Sequence, residues 1–82
     1  MIIDLQMEEI SIQKDLKLSG LTLDECGIGR DLGIIIVAIK QTTGDMRFNP
    51  TFRSTINPGD TLIALGEVSK LRILEEMAMA KK

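Results

Sequence analysis

The most restrictive feature of this sequence is an unbroken apolar run at residues 34–39, which lies between Gly33 and Lys40. Five of its six residues are β-branched, which favours a β-strand, and the run is too short for a stable buried helix. A strand with one face in water alternates apolar and polar residues, and this run does not alternate. Both of its faces must therefore be covered. Because one helix layer in an 82-residue chain covers only one face well, we expect the second face to be closed by another copy or by the rest of a larger protein.

The length fits one domain, at the small end where a single core leaves little margin of stability. The net charge is −2, and Phe48 and Phe52 are the only aromatic residues, so the chain is poorly equipped to bind nucleic acid. No apolar stretch approaches the roughly 20 residues that span a bilayer, so no direct membrane insertion is expected. The single cysteine, Cys26, cannot form an internal disulfide and suits a reducing compartment. These features predict a cytoplasmic location.

The absence of histidine excludes several classes of enzyme at once. The chain cannot form a Ser-His-Asp or Cys-His arrangement, or a zinc or iron site with histidine ligands. Adjacent carboxylates occur at positions 8–9, 24–25 and 75–76, but neighbouring side chains point in different directions and do not form an acid/base couple by themselves. Solvated surface charge is the favoured interpretation. We therefore expect no enzyme activity, no catalytic residues and no metal site.

A first strand is predicted over residues 5–13. Its apolar residues change parity between Met7 and Ile10, which predicts a bulge or a change of register near residues 8–9.

A short helix is predicted next. Thr22 and Glu25 have the spacing of a capping box, in which each side chain accepts a hydrogen bond from the other residue's backbone amide. Gly27 and Gly29 are expected to keep this helix short or to split it, and Gly33 to end it in a left-handed conformation.

The second half of the chain predicts three strands and a helix. After the strand at 34–39, a strand at 46–48 is expected to direct Met46 and Phe48 inward. Residues 57–60 have the Pro-Gly pattern of a type II turn, which leads into a largely apolar strand at 61–65.

The final element is an amphipathic helix with apolar residues at helical spacing. They are Val68, Leu71, Leu74, Met77 and Ala78. The order is therefore strand, short helix, strand, strand, strand, helix. This order predicts an α+β domain with one small mixed or antiparallel sheet and helices packed on it.

The glycines at 27, 29 and 33 do not make a dinucleotide-binding loop. That fingerprint needs G-x-G-x-x-G at the start of a helix directly after a strand. In this chain the third glycine is one place late, and the segment precedes the apolar strand.

Four segments together resemble the RCK C-terminal domain, also called TrkA-C, over roughly residues 7–79. The segments are 18–23, 32–40, 48–50 and 58–66. Each is weak alone, but their order and spacing are specific. The pairing of Phe-Asn-Pro at 48–50 with the last apolar strand is most similar to the C-terminal regulatory lobe of bacterial potassium channels.

The resemblance implies a single domain over 1–82, cut from a larger membrane-associated protein. It implies a cytoplasmic, dimerising and ligand-sensing module that controls potassium transport. The implied partners are a second copy, an N-terminal RCK domain and a transmembrane pore subunit. Two alternatives remain open: the same fold as a regulatory appendage of another cation or anion transporter or antiporter, and a freestanding small enzyme that uses carboxylates.

The resemblance also bears on the effector, which stays unidentified. Relatives that bind cyclic di-AMP carry polar residues where this chain has Gly27, Gly29 and Ile35, so this ligand is disfavoured. Arg30 and Asp31 lie one place away from those positions. With Ile35, they are the candidate effector-binding residues at the dimer cleft, although an ordinary surface pair at a helix end is the favoured interpretation of the two charges. No cofactor is expected.

Overall fold

The computed structural model describes residues 4–81, which form four strands and three helices. In chain order the elements are β1 (Leu5–Ser11), α1 (Leu23–Cys26), α2 (Ile28–Leu32), β2 (Ile35–Lys40), β3 (Met46–Phe48), β4 (Thr61–Glu67) and α3 (Val68–Met79). The predicted α+β class and the order of elements are confirmed, with the short helix divided into α1 and α2. The strands form one antiparallel sheet in the order β1-β4-β2-β3.

The strand β4 lies in the middle of this sheet and pairs with both β1 and β2. Its register with β1 is unbroken from the pair Leu5 and Glu67 to the pair Ser11 and Thr61. The bulge predicted near residues 8–9 is therefore wrong. The change of parity in β1 has another cause: its first apolar residues lie on one face of the sheet and Ile10 lies on the other.

The sheet does contain an irregularity, and it falls in β2. Ile36 pairs with Ala64, but the next β4 residue, Ile63, pairs with Ala38, so Val37 is an extra residue in the strand. Such a bulge changes which face the following side chains occupy. Consequently Ile36 and Ile39 lie on the same face of the sheet, three positions apart.

That face is covered by the helices and holds the hydrophobic core. Helix α3 packs on β1 and β4, and α2 packs against both β2 and α3. The fully buried large side chains come from every part of the chain; they are Ile12, Leu18, Ile28, Ile39, Ile56, Leu62, Leu71 and Leu74. Aliphatic residues and Cys26 thus form one contiguous core without aromatic side chains among the described residues.

The predicted inward direction of Met46 and Phe48 is wrong. Both side chains are exposed, Phe48 by 71%. In the pairing of β3 with β2, Phe48 is opposite Ala38 and Arg47 is opposite the buried Ile39. Residues that pair directly share a face, so the two apolar side chains of β3 point away from the helices.

Candidate functional site

A cavity of about 230 Å³ lies where α1, α2, the start of β2 and the loop after β3 meet. Leu23, Ile28, Ile34 and Ile36 contribute apolar side chains to its lining, and all four belong to the core or pack against it. The cavity is therefore an extension of the core toward the surface.

Helices α1 and α2 form one wall of this cavity, and their ends are set by local sequence features. The capping box is present as predicted: the Glu25 amide donates to Thr22 Oγ1 at 3.1 Å, and the Thr22 amide donates to Glu25 Oε1 at 2.9 Å. Gly27 has a φ of 70° and separates α1 from α2, and Gly33 has a φ of 67° and ends α2. Glycine is suited to these left-handed positions because it has no Cβ. The predicted split of the helix is confirmed.

The structure brings two of the three candidate residues to the cavity itself. Arg30 and Ile35 both line it. Asp31 is not part of the lining, but it contacts Arg30, whose Nε donates to Asp31 Oδ1 at 3.3 Å. Arg30 Nη1 also lies 3.6 Å from Asp24 Oδ1 on the neighbouring helix, and the Arg30 side chain is 65% exposed. Water screens charges at such a position, so these pairs contribute little to stability.

Sequence reasoning gave no site role to the loop that forms the opposite wall. Asn49, Pro50 and Phe52 line the cavity from this side. The Asn49 amide donates to the Val37 carbonyl at 2.8 Å, which ties the loop to the bulge of β2. Asn49 has a φ of 51°, a left-handed conformation that Asn tolerates better than most residues. The phenyl ring of Phe52 is 62% exposed beside the cavity.

Two titratable groups of α1, beside the cavity, have shifted pKa values. Burial, and secondarily the Glu25 carboxylate, raise the pKa of the Cys26 thiol to about 11. A thiol with that pKa stays protonated at neutral pH and is a poor nucleophile and metal ligand. Hydrogen bonds from Thr22 lower the pKa of Glu25, which holds this carboxylate ionised in its capping role. Among residues 4–81, no group of three or more His, Cys, Asp or Glu side chains is placed to hold a metal ion.

The cavity adjoins the sheet face opposite to the one on which the described helices pack. On this open face Met7, Leu65 and Ile35 form a row across β1, β4 and β2, since Leu65 pairs with both of the others. Met7 is 59% exposed and Ile35 is 62% exposed. Ile35 belongs to the row and also lines the cavity, so the two surfaces are continuous.

A second row crosses the same face one step further along the strands. Ile63 of β4 pairs with Ala38 of β2, and Ala38 pairs with Phe48 of β3. Together the two rows form an apolar face, named here the open face and consisting of Met7, Ile35, Ala38, Phe48, Ile63 and Leu65. Its exposed members are Met7, Ile35 and Phe48, whereas Ala38 and Ile63 are buried. Contiguous exposed apolar surfaces of this kind mark places where a partner binds.

The sequence matches the model of a known protein family. The model of the TrkA-C domain family matches residues 7–78, and the chain belongs to this family. A curated relative, the uncharacterized protein YrvC of Bacillus subtilis (strain 168), is 31% identical over 61 residues. The match includes 73% of this chain and 37% of that protein, so the chain spans little more than a third of the length of this relative.

Solved structures with the same fold belong to regulators. The RCK C domain of the potassium transport protein KtrA, in complex with cyclic diadenosine monophosphate, is 25% identical with a TM-score of 0.78; the match covers 88% of this chain and 81% of that one. The RCK_C domain dimer of Streptococcus BusR (S. agalactiae), in complex with the same nucleotide, is 24% identical with a TM-score of 0.78, covering 90% of each chain. The GsuK RCK domain is 19% identical with a TM-score of 0.72, over 90% of this chain and 16% of that one.

The relatives also widen the range of functions that the fold serves. BusR has a solved complex with its busAB-promoter DNA, in which the match covers 35% of the BusR chain. An RCK C-terminal lobe is therefore found in a protein that binds DNA as well as in potassium transport proteins. Within residues 4–81 of the present chain, no helix has the length and apolar character needed to cross a bilayer.

Proposed function

We propose that this chain is a dimerising regulatory lobe that controls potassium transport, and that it acts by binding and not by catalysis. The observation that carries the proposal is the open face, where Met7, Leu65 and Ile35 lie in a row and the first and last of them are more than half exposed in the described part of the chain. A second copy placed on this face would remove these side chains from water, which is the main driving force for association.

The proposed mechanism is allosteric. The cavity adjoins the open face at Ile35, so a molecule bound in the cavity would contact both the chain and the edge of a second copy seated on that face. A ligand that binds one arrangement of the dimer more tightly than another shifts the population toward it. In the full-length protein this shift would be passed to an N-terminal RCK domain and a pore subunit, with the lobe on the cytoplasmic side of the membrane.

The effector of this chain is proposed to differ from cyclic di-AMP. The KtrA and BusR lobes are known in complex with that dinucleotide. Here the positions at 27, 29 and 35 carry no polar side chain, and Arg30 is already paired with Asp24 and Asp31. The cavity lining is mainly apolar, with Asn49 as its neutral polar side chain. We infer that the surface is better suited to a dry dimer contact or to a weakly charged ligand.

Sedimentation of the 82-residue chain tests the dimer. The wild-type chain is expected to be a dimer, and Ile35→Lys is expected to be a folded monomer, because a buried unpaired ammonium is costly at the interface. Ile73→Lys is the matched control, since Ile73 is an exposed isoleucine on α3, away from the open face. A wild-type monomer at high concentration, or equal association of both variants, would contradict the proposal.

A thermal-shift series tests the effector separately. Cyclic di-AMP, mononucleotides and divalent cations are added one at a time to the wild-type chain. A ligand at 100 times its dissociation constant stabilises a folded protein by about 2.7 kcal/mol, which is a measurable rise in Tm for a domain of this size. We expect no rise with cyclic di-AMP, and a clear rise would show that this part of the proposal is wrong.

A further inference from the structure

Ion pairing in the described part of the chain is concentrated on one side chain. Among residues 4–81, the two salt bridges both involve Arg30, one with Asp24 and one with Asp31. Asp24 belongs to α1, whereas Arg30 and Asp31 belong to α2. The Arg30–Asp24 pair therefore connects two helices, and the Arg30–Asp31 pair holds the guanidinium in place from its own helix. The three side chains are named here the clasp.

The clasp crosses a joint that consists of one residue. Gly27 is both the C-cap of α1 and the N-cap of α2, and it has a left-handed φ of 70°. The Gly27 amide donates to the Asp24 carbonyl at 3.0 Å, and the Asp31 amide donates to the Gly27 carbonyl at 2.8 Å. Because helices of four and five residues have little rigidity of their own, their relative angle depends on the dihedrals of this joint.

The glycine also lets the clasp lie directly against the backbone. A Cβ at position 27 would overlap the Asp31 carboxylate, and it would lie 3.6 Å from Arg30 Nη2. The space above Gly27 is thus already filled by the two charged groups of α2. Any larger residue at this position would displace the carboxylate that holds Arg30.

The joint forms part of the cavity wall. Leu23 and Asp24 line the cavity from α1, and Ile28 and Arg30 line it from α2, on either side of Gly27. A change in the angle between the two helices would therefore change the width of the cavity. The charged groups of the clasp are well exposed, with Asp24 at 59%, so dissolved ions reach them.

We propose that the clasp is an ion-sensitive latch on the cavity: it adds to the core packing of Leu23 and Ile28 in holding α1 and α2 at their angle, and rising ionic strength weakens it. The screening length falls from about 10 Å at 0.1 M salt to about 3 Å at 1 M, which is shorter than the 3.6 Å between Arg30 Nη1 and Asp24 Oδ1. The latch does not depend on the proposed dimer, and either idea can fail without the other.

Residue-resolved amide hydrogen exchange tests the latch. The amides of Gly27 and Asp31 report on the joint, since both make hydrogen bonds across or beside it. In the wild-type chain their exchange is expected to become roughly two- to five-fold faster between low salt and about 1 M NaCl, the range for an exposed ion pair. Sucrose at equal osmolality should have no such effect. Rates are referenced to the Asp60 amide, which lies in a distant turn.

Two neutral variants supply the decisive comparison. Asp24→Asn and Arg30→Gln are expected to exchange rapidly at both salt concentrations, with little remaining dependence on NaCl. The matched control is Glu76→Gln, which removes an exposed carboxylate from α3 and should keep the wild-type response. Wild-type exchange that is independent of salt, or an unchanged salt response in Asp24→Asn, would overturn the proposal.

Discussion

The two faces of the sheet are built from the same kinds of residue but differ in how far their side chains are covered. On β4, Leu62 points toward the helices and is fully buried, whereas Leu65 lies on the open face and is only partly covered. Among residues 4–81 the helices pack on the first face, whereas Met7 and Ile35 on the second are more than half exposed. An unbroken apolar strand therefore does not by itself tell which chain covers each face, and the cover proposed here for the open face is a second copy.

The largest effect is expected from truncating the same residue type on each face. Leu62→Ala should lower the free energy of unfolding by about 2–5 kcal/mol, because it leaves a cavity in a packed core. Leu65→Ala should cost less in a dilute sample and should act mainly by weakening association. Urea denaturation at several protein concentrations measures both. Equal losses, independent of concentration, would mean that the open face behaves as an ordinary core surface.

A smaller effect is expected from placing valine at two adjacent positions that face opposite ways. A Cβ at Gly66 would lie 3.0 Å from Ile34 Cγ1, so Gly66→Val should destabilise the fold by roughly 1–3 kcal/mol through overpacking. Glu67→Val adds an apolar side chain at the neighbouring exposed position and should change stability little. Thermal unfolding of the two variants measures the difference, and a tolerated Gly66→Val would show that the helix-covered face has spare room.

The helix cap near the cavity is expected to have a moderate effect. Thr22→Ala removes the hydroxyl that accepts from the Glu25 amide and should cost about 1 kcal/mol, with local loss of α1. Thr43→Ala is a suitable control, since its hydroxyl bonds only within an exposed turn. Chemical denaturation gives the free energies. If Thr22→Ala sediments like the wild-type chain, the loss of this cap does not affect association, and the effects of variants on the open face can be assigned to that face.

The smallest effect concerns two carboxyl groups whose pKa values move in opposite directions. A hydrogen bond with Glu75 is the main cause that raises the pKa of Glu8 above 4.5. Stability from this group is present below 4.5 and is lost as pH rises through the raised pKa. Glu25 has a lowered pKa, so its contribution is present above 4.5 and is lost as pH falls through the lowered value.

Urea midpoints measured between about pH 3 and pH 7 check this prediction. Glu8→Gln should remove the loss of stability on the upper side of the range, and Thr22→Ala should reduce the loss on the acid side. Both changes are expected to be small because Glu25 is exposed to water and Glu8 is only half-buried. If Glu8→Gln leaves the whole pH profile unchanged, Glu8 and Glu75 do not share a proton in the folded chain.

Local signals in the sequence predicted the features that depend on a few neighbouring residues. The capping box at Thr22, the break at Gly27 and the end of α2 at Gly33 all follow from short-range hydrogen bonding and backbone sterics. Cover on both faces of the apolar strand was also predicted from its composition, and for the open face it stays a prediction. The cap, the break and the end of the short helices, which shape the cavity wall, could be predicted without knowledge of any distant contact.

The features that depend on pairing between strands could not be predicted from neighbouring residues. The apolar residues at the start of β1 were interpreted as a sign of a bulge, whereas they lie on a sheet face that is itself apolar. In β2 every residue near Val37 is apolar, so no polar side chain marks the extra residue. Phe52 reaches the cavity only through the path of a loop, which is set by the hydrogen bond from Asn49 to Val37.

The position of β4 in the sheet has a consequence for how the chain is made. During synthesis β1 and β2 leave the ribosome without the strand that pairs with both of them, since that strand begins only at residue 61. Apart from the pairing of β2 with β3, the strand-pairing backbone groups of β1 and β2 stay unsatisfied until residues 61–67 appear. Long-range strand pairing is slow and exposes intermediates to aggregation. A nascent chain halted before β4 is therefore expected to need chaperones, whereas the emergence of β4 allows the whole sheet to assemble.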